Sequence, residues 1–342
     1  MIKVLVVDDS FVMRKVITRI LEKDPQIKVA GTAGDGRDAL EKVESLQPDV
    51  MTLDIEMPVM NGIDVLKQVM AKRPMPVIMM SALTKEGADI TIEALNLGAC
   101  DFVTKDLSGF SSPAAGIEGE LINKVKNVAK NKTKYLLKRL DALKKPVALN
   151  SDKKIRHEIL SIGASTGGPP ALQHILSSLP GDFPIPVVIA QHMPKLFTQS
   201  FAQRLNALSR LEVKEAEDKE VLKAGVALVA PGDTHISLKR RGRDVVVEFV
   251  DGAKFIYRPS VDLLLSTTAE AYESLSIGVI LTGMGSDGLA GMKELKSKNG
   301  YVIAQNEETC VVYGMPKAVI NANITDAVLP VDKIPEEIMR VL

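Results

Sequence analysis

Two sets of residues in this sequence have the types needed for chemistry. The first is Asp8, Asp9, Asp54, Ser81 and Lys105. Three carboxylates brought together repel one another unless a cation binds between them, and hard oxygen ligands without His or Cys suit Mg²⁺. A hydroxyl and an ammonium beside such a cluster suit an incoming phosphoryl group, whose charge needs neutralising. The second set lies further on, where all four histidines fall. Ser165 sits in the small-residue run Gly163-Ala164-Ser165-Thr166-Gly167-Gly168-Pro169-Pro170, His192 in Gln191-His192-Met193-Pro194, and Asp287 in Thr282-Gly283-Met284-Gly285-Ser286-Asp287-Gly288. A serine, an imidazole and a carboxylate are the parts of nucleophilic acyl transfer. Small residues before a helix also turn backbone N–H groups toward the serine, which suits an anion or an oxyanion.

These residues can meet only if the chain puts them on one edge of a sheet. The first region alternates apolar strands (Ile2–Val7, Ile27–Thr32, Val50–Leu53, Val77–Met80, Asp101–Thr104) with amphipathic helices, the first capped by Ser10. This βα alternation predicts a doubly wound parallel sheet. Ligands collect outside the carboxyl ends of such strands, where Asp8, Asp9, Asp54, Ser81 and Lys105 fall. The later strands are Ile159–Gly163, Pro186–Ala190, Val226–Ala230, Val245–Phe249, Ile277–Leu281 and Tyr301–Ala304. Ser165 and His192 then share a carboxyl edge. His157 starts a strand on the opposite edge, His174 lies too far along a helix, and His235, after Pro231-Gly232-Asp233, is the weaker rival. Asp287 follows Ile277–Leu281, with Asp233 as its competitor. Two other readings stay open here. Ser165 could mark a phosphate-binding loop, although the Gly-Lys-Ser/Thr ending of a P-loop is missing. Gly283, Gly285 and Gly288 form a G-x-G-x-x-G between strand and helix, with Glu307 nineteen residues later where a ribose-binding acid would stand.

The 342 residues suffice for two domains, and 46% hydrophobic with 25% charged residues is ordinary for a globular protein. Apolar runs fall far short of the ~20 residues of a membrane span, no signal peptide is expected, and the two cysteines suggest a reducing cytoplasm. The net charge of zero discourages a nucleic-acid partner, yet it is a cancellation. Residues 1–120 carry net −6, residues 121–156 net +10 and residues 157–342 net −4. With a Gly/Ser/Pro-rich loop at Gly109–Gly119 and a linker at Pro146–Asp152, the expected division is 1–120, a basic linker 121–152 and a second domain 153–342.

Residues 1 to about 123 resemble a two-component receiver domain, through Asp8-Asp9, Asp54-Ile55-Glu56-Met57-Pro58, Gly62, Ser81-Ala82 and Phe102-Val103-Thr104-Lys105. The resemblance implies a flavodoxin-like sheet. It implies that Asp54 takes a phosphoryl group from a histidine kinase, and that Mg²⁺ is held by Asp9, Asp54 and the Glu56 carbonyl with Asp8 behind them. It further implies that Ser81 and Lys105 meet the phosphoryl oxygens and that Phe102 is the aromatic switch. Asp106 departs from the proline usual at that position. Residues from about 157 to 342 resemble the catalytic domain of the chemotaxis protein-glutamate methylesterases, the CheB family, through the motifs of Ser165, His192 and Asp287 and Ala230-Pro231-Gly232. That implies a Rossmann-like α/β domain hydrolysing glutamate methyl esters on chemoreceptors without a cofactor, with deamidation of receptor glutamines as a second activity. Ser165 would be the nucleophile, His192 the base, Asp287 its support, the Met284 N–H an oxyanion donor, and Thr166 would position His192. The rivals are a nicotinamide-dependent enzyme and a response regulator with a non-catalytic output domain.

Overall fold

The structure, a computed structural model, describes residues 1–105, 117–130, 156–251 and 255–342. The chain divides into two units, Met1–Arg139 and Leu140–Leu342.

In the first unit, β1 (Ile2–Val7), β2 (Ile27–Ala33), β3 (Val50–Asp54), β4 (Val77–Ser81) and β5 (Asp101–Thr104) form a parallel sheet ordered β2-β1-β3-β4-β5. This is the flavodoxin-like order, and its switch point lies between β1 and β3. Central strands are apolar because helices cover both faces: Val4, Leu5, Val6 and Val7 are all fully buried. The expected Ser10 cap is present, its hydroxyl accepting from the Met13 N–H at 3.4 Å.

The helix Ile117–Lys130 begins inside the stretch expected to be a loop up to Gly119. It belongs to the first unit. Leu121, Val125 and Val128 are buried, and Lys126 pairs with Asp24 at 2.7 Å. A boundary at residue 120 therefore cuts through a helix in which Lys124 and Lys126 pair with Asp101 and Asp24 of the first unit. Asp106 and the Pro146–Asp152 linker lie outside the described residues.

In the second unit, β6 (Ile159–Ala164), β7 (Val187–Gln191), β8 (Glu212–Glu215), β9 (Val226–Val229), β12 (Ser276–Ile280), β13 (Tyr301–Gln305) and β14 (Ala327–Leu329) form one parallel sheet ordered β14-β13-β12-β6-β7-β9-β8. The order reverses at β6, which is flanked by β12 and β7, so the crevice for a ligand opens beside its carboxyl end. The Val245–Phe249 run joins a different element. As β11 (Asp244–Val250) it pairs antiparallel with β10 (His235–Arg241) in a separate two-stranded sheet, turned at Gly242 with φ 65°. Ile236, Leu238, Val245 and Val247 of this hairpin pack in one core with Val261, Leu264 and Leu265 of the helix Val261–Tyr272. Among the described residues no helix is long and apolar enough to cross a membrane.

Candidate functional site

At the β1/β3 switch point, Asp8, Asp9 and Asp54 each bring a carboxylate oxygen within 4.8 Å of the others. Asp8 and Asp54 are buried and Asp9 is exposed. Lys105 reaches both buried acids, with Nζ 2.7 Å from Asp8 and 2.6 Å from Asp54. Burial, only partly offset by this ammonium, pushes the Asp54 carboxyl up to about 6. One ammonium for three carboxylates leaves negative charge to be answered, and the donor set is all oxygen, which fits a hard divalent cation. Glu56 is exposed, and its N–H donates to Asp54 Oδ1 at 3.4 Å. Ser81 ends β4 as expected, but its hydroxyl is engaged elsewhere: Thr91 Oγ1 donates to it at 2.7 Å, and it donates to the Gly87 carbonyl at 3.3 Å. Phe102 is buried, and its carbonyl accepts from Lys124 Nζ at 2.6 Å.

The second site stands at the carboxyl end of β6. The Ser165 N–H donates to the Thr282 carbonyl at 3.1 Å, and its own carbonyl accepts from Gly168 N at 2.7 Å and Gln191 Nε2 at 3.0 Å. Ser165 is thereby tied to the end of β7 and to the loop that follows β12. The His192 N–H donates to the Ala164 carbonyl at 3.0 Å, which sets it beside the serine. The His192 ring bonds through Nε2 to Asp287 Oδ2 at 2.8 Å, while Nδ1 is buried with no hydrogen-bond partner among the described residues. Nδ1 is thus the nitrogen left to accept a proton.

Asp287 is held as an acceptor on all sides. Val261 N–H donates to Oδ2 at 2.9 Å, Asp262 N–H to Oδ1 at 3.0 Å and Ser260 Oγ to Oδ1 at 3.4 Å. The carboxylate therefore sits at the start of the helix Val261–Tyr272, where the helix dipole favours negative charge. Burial pushes its carboxyl up, but the His192 bond and charge and these N–H groups outweigh that and hold it below the usual value of 3.8.

The loop Gly283–Gly288 owes its glycines to close packing. A Cβ on Gly283 would lie 2.3 Å from Met315 Sδ and 2.8 Å from Ser165 Cβ. One on Gly288 would lie 2.7 Å from Ile280 Cδ1 and 2.8 Å from Val261 Cγ1. The glycines are thus accounted for by packing within the protein, and Asp287 from the same loop is committed to His192. Next to Gly283, the Met284 N–H has no hydrogen-bond partner among the described residues.

The rivals among the sequence candidates go elsewhere. Asp233 is exposed, and its carbonyl accepts from Arg258 at 2.9 Å. His157 bonds to the Val341 carbonyl at 2.9 Å, and buried His235 accepts from the Ser260 N–H at 3.2 Å through Nδ1. Thr166 joins the serine loop to Thr282, its carbonyl accepting from Thr282 Oγ1 at 2.9 Å, and neither imidazole nitrogen of His192 bonds to it. Sequence reading gave no role to Gln191, whose amide ties the Ser165 and His192 carbonyls at 3.0 Å each, or to Tyr257, whose ring stacks on His192. Gln191 at least stands beside His192 in a quoted motif; no local pattern points to Tyr257.

The chain matches the CheB methylesterase family over residues 160–338 and the response regulator receiver domain over residues 4–109. It is 45% identical to a protein of Lawsonia intracellularis named protein-glutamate methylesterase/protein-glutamine glutaminase, over 100% of this chain and 99% of that one. A protein of the same name from Halalkalibacterium halodurans is 45% identical over 99% and 98% of the two chains. The crystal structure of the Thermotoga maritima CheB methylesterase catalytic domain is similar at 48% identity and a TM-score of 0.54, covering 54% of this chain and 99% of that one. With a receiver sheet ahead of an esterase sheet and this similarity along its whole length, the chain belongs to the CheB methylesterase family.

Proposed function

We propose that this protein hydrolyses glutamate methyl esters on chemoreceptors, under the control of phosphorylation at Asp54. Ser165 Oγ attacks the ester carbonyl carbon as its proton passes to His192 Nδ1. The carbonyl oxygen becomes an oxyanion facing the Met284 N–H, where a fixed donor lowers the barrier. Collapse breaks the bond to methoxide, which leaves as methanol with the proton from Nδ1. Water then cleaves the glutamyl-serine ester, again giving its proton to Nδ1, and glutamate and Ser165 are regenerated. Asp287 keeps the ring oriented and balances the imidazolium charge. A receptor glutamine follows the same path with ammonia as leaving group. No cofactor enters these steps.

In the receiver, which extends at least through Lys130, Asp54 takes the phosphoryl group from a histidine kinase. Asp9, Asp54 and the Glu56 carbonyl would hold Mg²⁺, with Asp8 behind them. When bound, the ion neutralises charge on the transferring phosphoryl oxygens. Lys105 is placed to pair with the phosphoryl group, and Ser81 meets it by turning its O–H away from the Gly87 carbonyl. Phe102, on β5, is the switch aromatic. This chemistry belongs in the cytoplasm, where kinase and receptor tails meet.

The observation that carries the esterase reading is the His192–Asp287 pair with Nδ1 left unpartnered, on a residue whose N–H bonds the carbonyl preceding Ser165. Methanol release from methylated receptor should fall at least ~10⁴-fold in Ser165→Ala. Release at the wild-type rate would sink the assignment.

A further inference from the structure

We propose that Tyr257 is a positioning residue for this esterase, holding the His192 ring in the orientation from which Nδ1 serves the serine. The proposal rests on the esterase reading above. The Tyr257 and His192 rings are stacked, with centroids 4.7 Å apart and planes only 9° apart. His192 has one ring hydrogen bond, to Asp287. A single bond fixes one nitrogen but lets the ring swing about it, carrying the free nitrogen out of line. A flat aromatic face against the imidazole removes that freedom, and misplacing a reacting group by about 1 Å costs ~10²-fold in rate. The face of the phenol ring carries partial negative charge, so it also favours the imidazolium that forms as Ser165 loses its proton.

The surroundings of Tyr257 support the same role. Three and four residues on, Ser260 and Val261 bind the carboxylate of Asp287. One short stretch thus grips both the base and its carboxylate. Buried His235 anchors that stretch by accepting from the Ser260 N–H at 3.2 Å. On the other side, Gly285 has φ 81°, and a Cβ there would stand 3.1 Å from the Tyr257 hydroxyl oxygen. The loop carrying Met284 therefore rests on the same tyrosine. Tyr257 touches the base and abuts the loop of the oxyanion donor, and its position is set by the element that holds the third member.

The test compares whole-chain wild type, Tyr257→Leu, Tyr257→Phe and Ser165→Ala for methanol release over a range of methylated receptor concentrations. Tyr257→Leu should lose about tenfold in kcat with KM unchanged, since the ring acts on the base and not on substrate affinity. Tyr257→Phe keeps the ring and should restore most of the lost rate, which a variant with a damaged fold would not do. A wild-type kcat in Tyr257→Leu, with Ser165→Ala inactive, overturns the proposal and leaves the esterase reading intact. A loss confined to KM would make Tyr257 a substrate contact, and an equal loss in Tyr257→Phe would assign the effect to the hydroxyl; either result overturns it. Full activity in Ser165→Ala would remove the esterase reading and this proposal with it.

Discussion

Asp287 accepts hydrogen bonds with both carboxylate oxygens, from the His192 ring on one side and from the start of the helix Val261–Tyr272 on the other. An asparagine has one acceptor oxygen, so Asp287→Asn must turn an NH₂ group toward a donor. Kcat should fall about 10³–10⁴-fold, because the imidazolium loses its balancing charge and the ring its fixed tautomer. Stability should fall by about 1–3 kcal/mol at neutral pH, the cost of an unsatisfied buried group. The sign of the pH effect follows from the carboxyl lying below 3.8 in the folded protein. Such a group contributes stability that is present above its unfolded pKa and lost as pH falls through the folded value. The gap between wild type and variant in denaturant unfolding should therefore narrow below pH ~4; a gap independent of pH would deny the charge any part in it. The serine and base candidates were legible because each directly follows a readable strand, and the carboxylate candidate because it lies in the glycine-rich loop after another. Tyr257 was not, because it meets His192 across 65 positions of sequence, and the bond from Gln191 to the Ser165 carbonyl spans two separate strands.

The strand β6 and the helix Val261–Tyr272 meet at Gly163, where a Cβ would lie 2.1 Å from Val261 Cγ1 and 3.2 Å from Ile280 Cδ1. Val261 is fully buried and cannot give way outward. Gly163→Ala must push the helix start off the sheet, and the Val261 N–H that holds Asp287 goes with it. The expected cost is about 1–3 kcal/mol in stability, as for other overpacked cores, together with a lower kcat in folded enzyme. Full kcat in a destabilised variant would show that the helix start is not coupled to the carboxylate. At this scale the sequence was legible where strands are buried on both faces. β1, β3, β4, β6, β7, β12 and β13 read as apolar runs. The missed strands lie where that rule fails. β8 (Glu-Val-Lys-Glu) and β14 (Ala-Val-Leu) are the two edges of their sheet, and β10 ends in Lys-Arg-Arg with its last residues exposed. An edge or half-exposed strand needs no continuous apolar face.

For the whole chain, the charge partition indicated where it divides, yet it drew the line inside a helix. Lys124 and Lys126 were counted in the basic strip, but Lys126 pairs with Asp24, and Lys124 pairs with Glu120 at 2.8 Å and Asp101 at 3.2 Å. A count of charges cannot tell a connector from a helix whose partners lie elsewhere in its own unit. The esterase unit bears on how the two halves work together. Ser165, His192, Asp287 and Met284 all lie in Leu140–Leu342, and the His192–Asp287 bond is already made there. With every proposed catalytic residue in the second unit, the function proposed above predicts that the receiver acts by restraint and that phosphorylation lifts it. A complete switch from 1:99 to 99:1 takes about 5.5 kcal/mol of differential stabilisation, and partial relief takes less. The test is a chain starting at Arg156, the first described residue of the second unit. That chain should release methanol faster than the unphosphorylated whole protein and respond to no phosphodonor. If it is no faster, while phosphorylation still accelerates the whole protein, the receiver stimulates instead of restraining, and the completeness of the catalytic set has been misread.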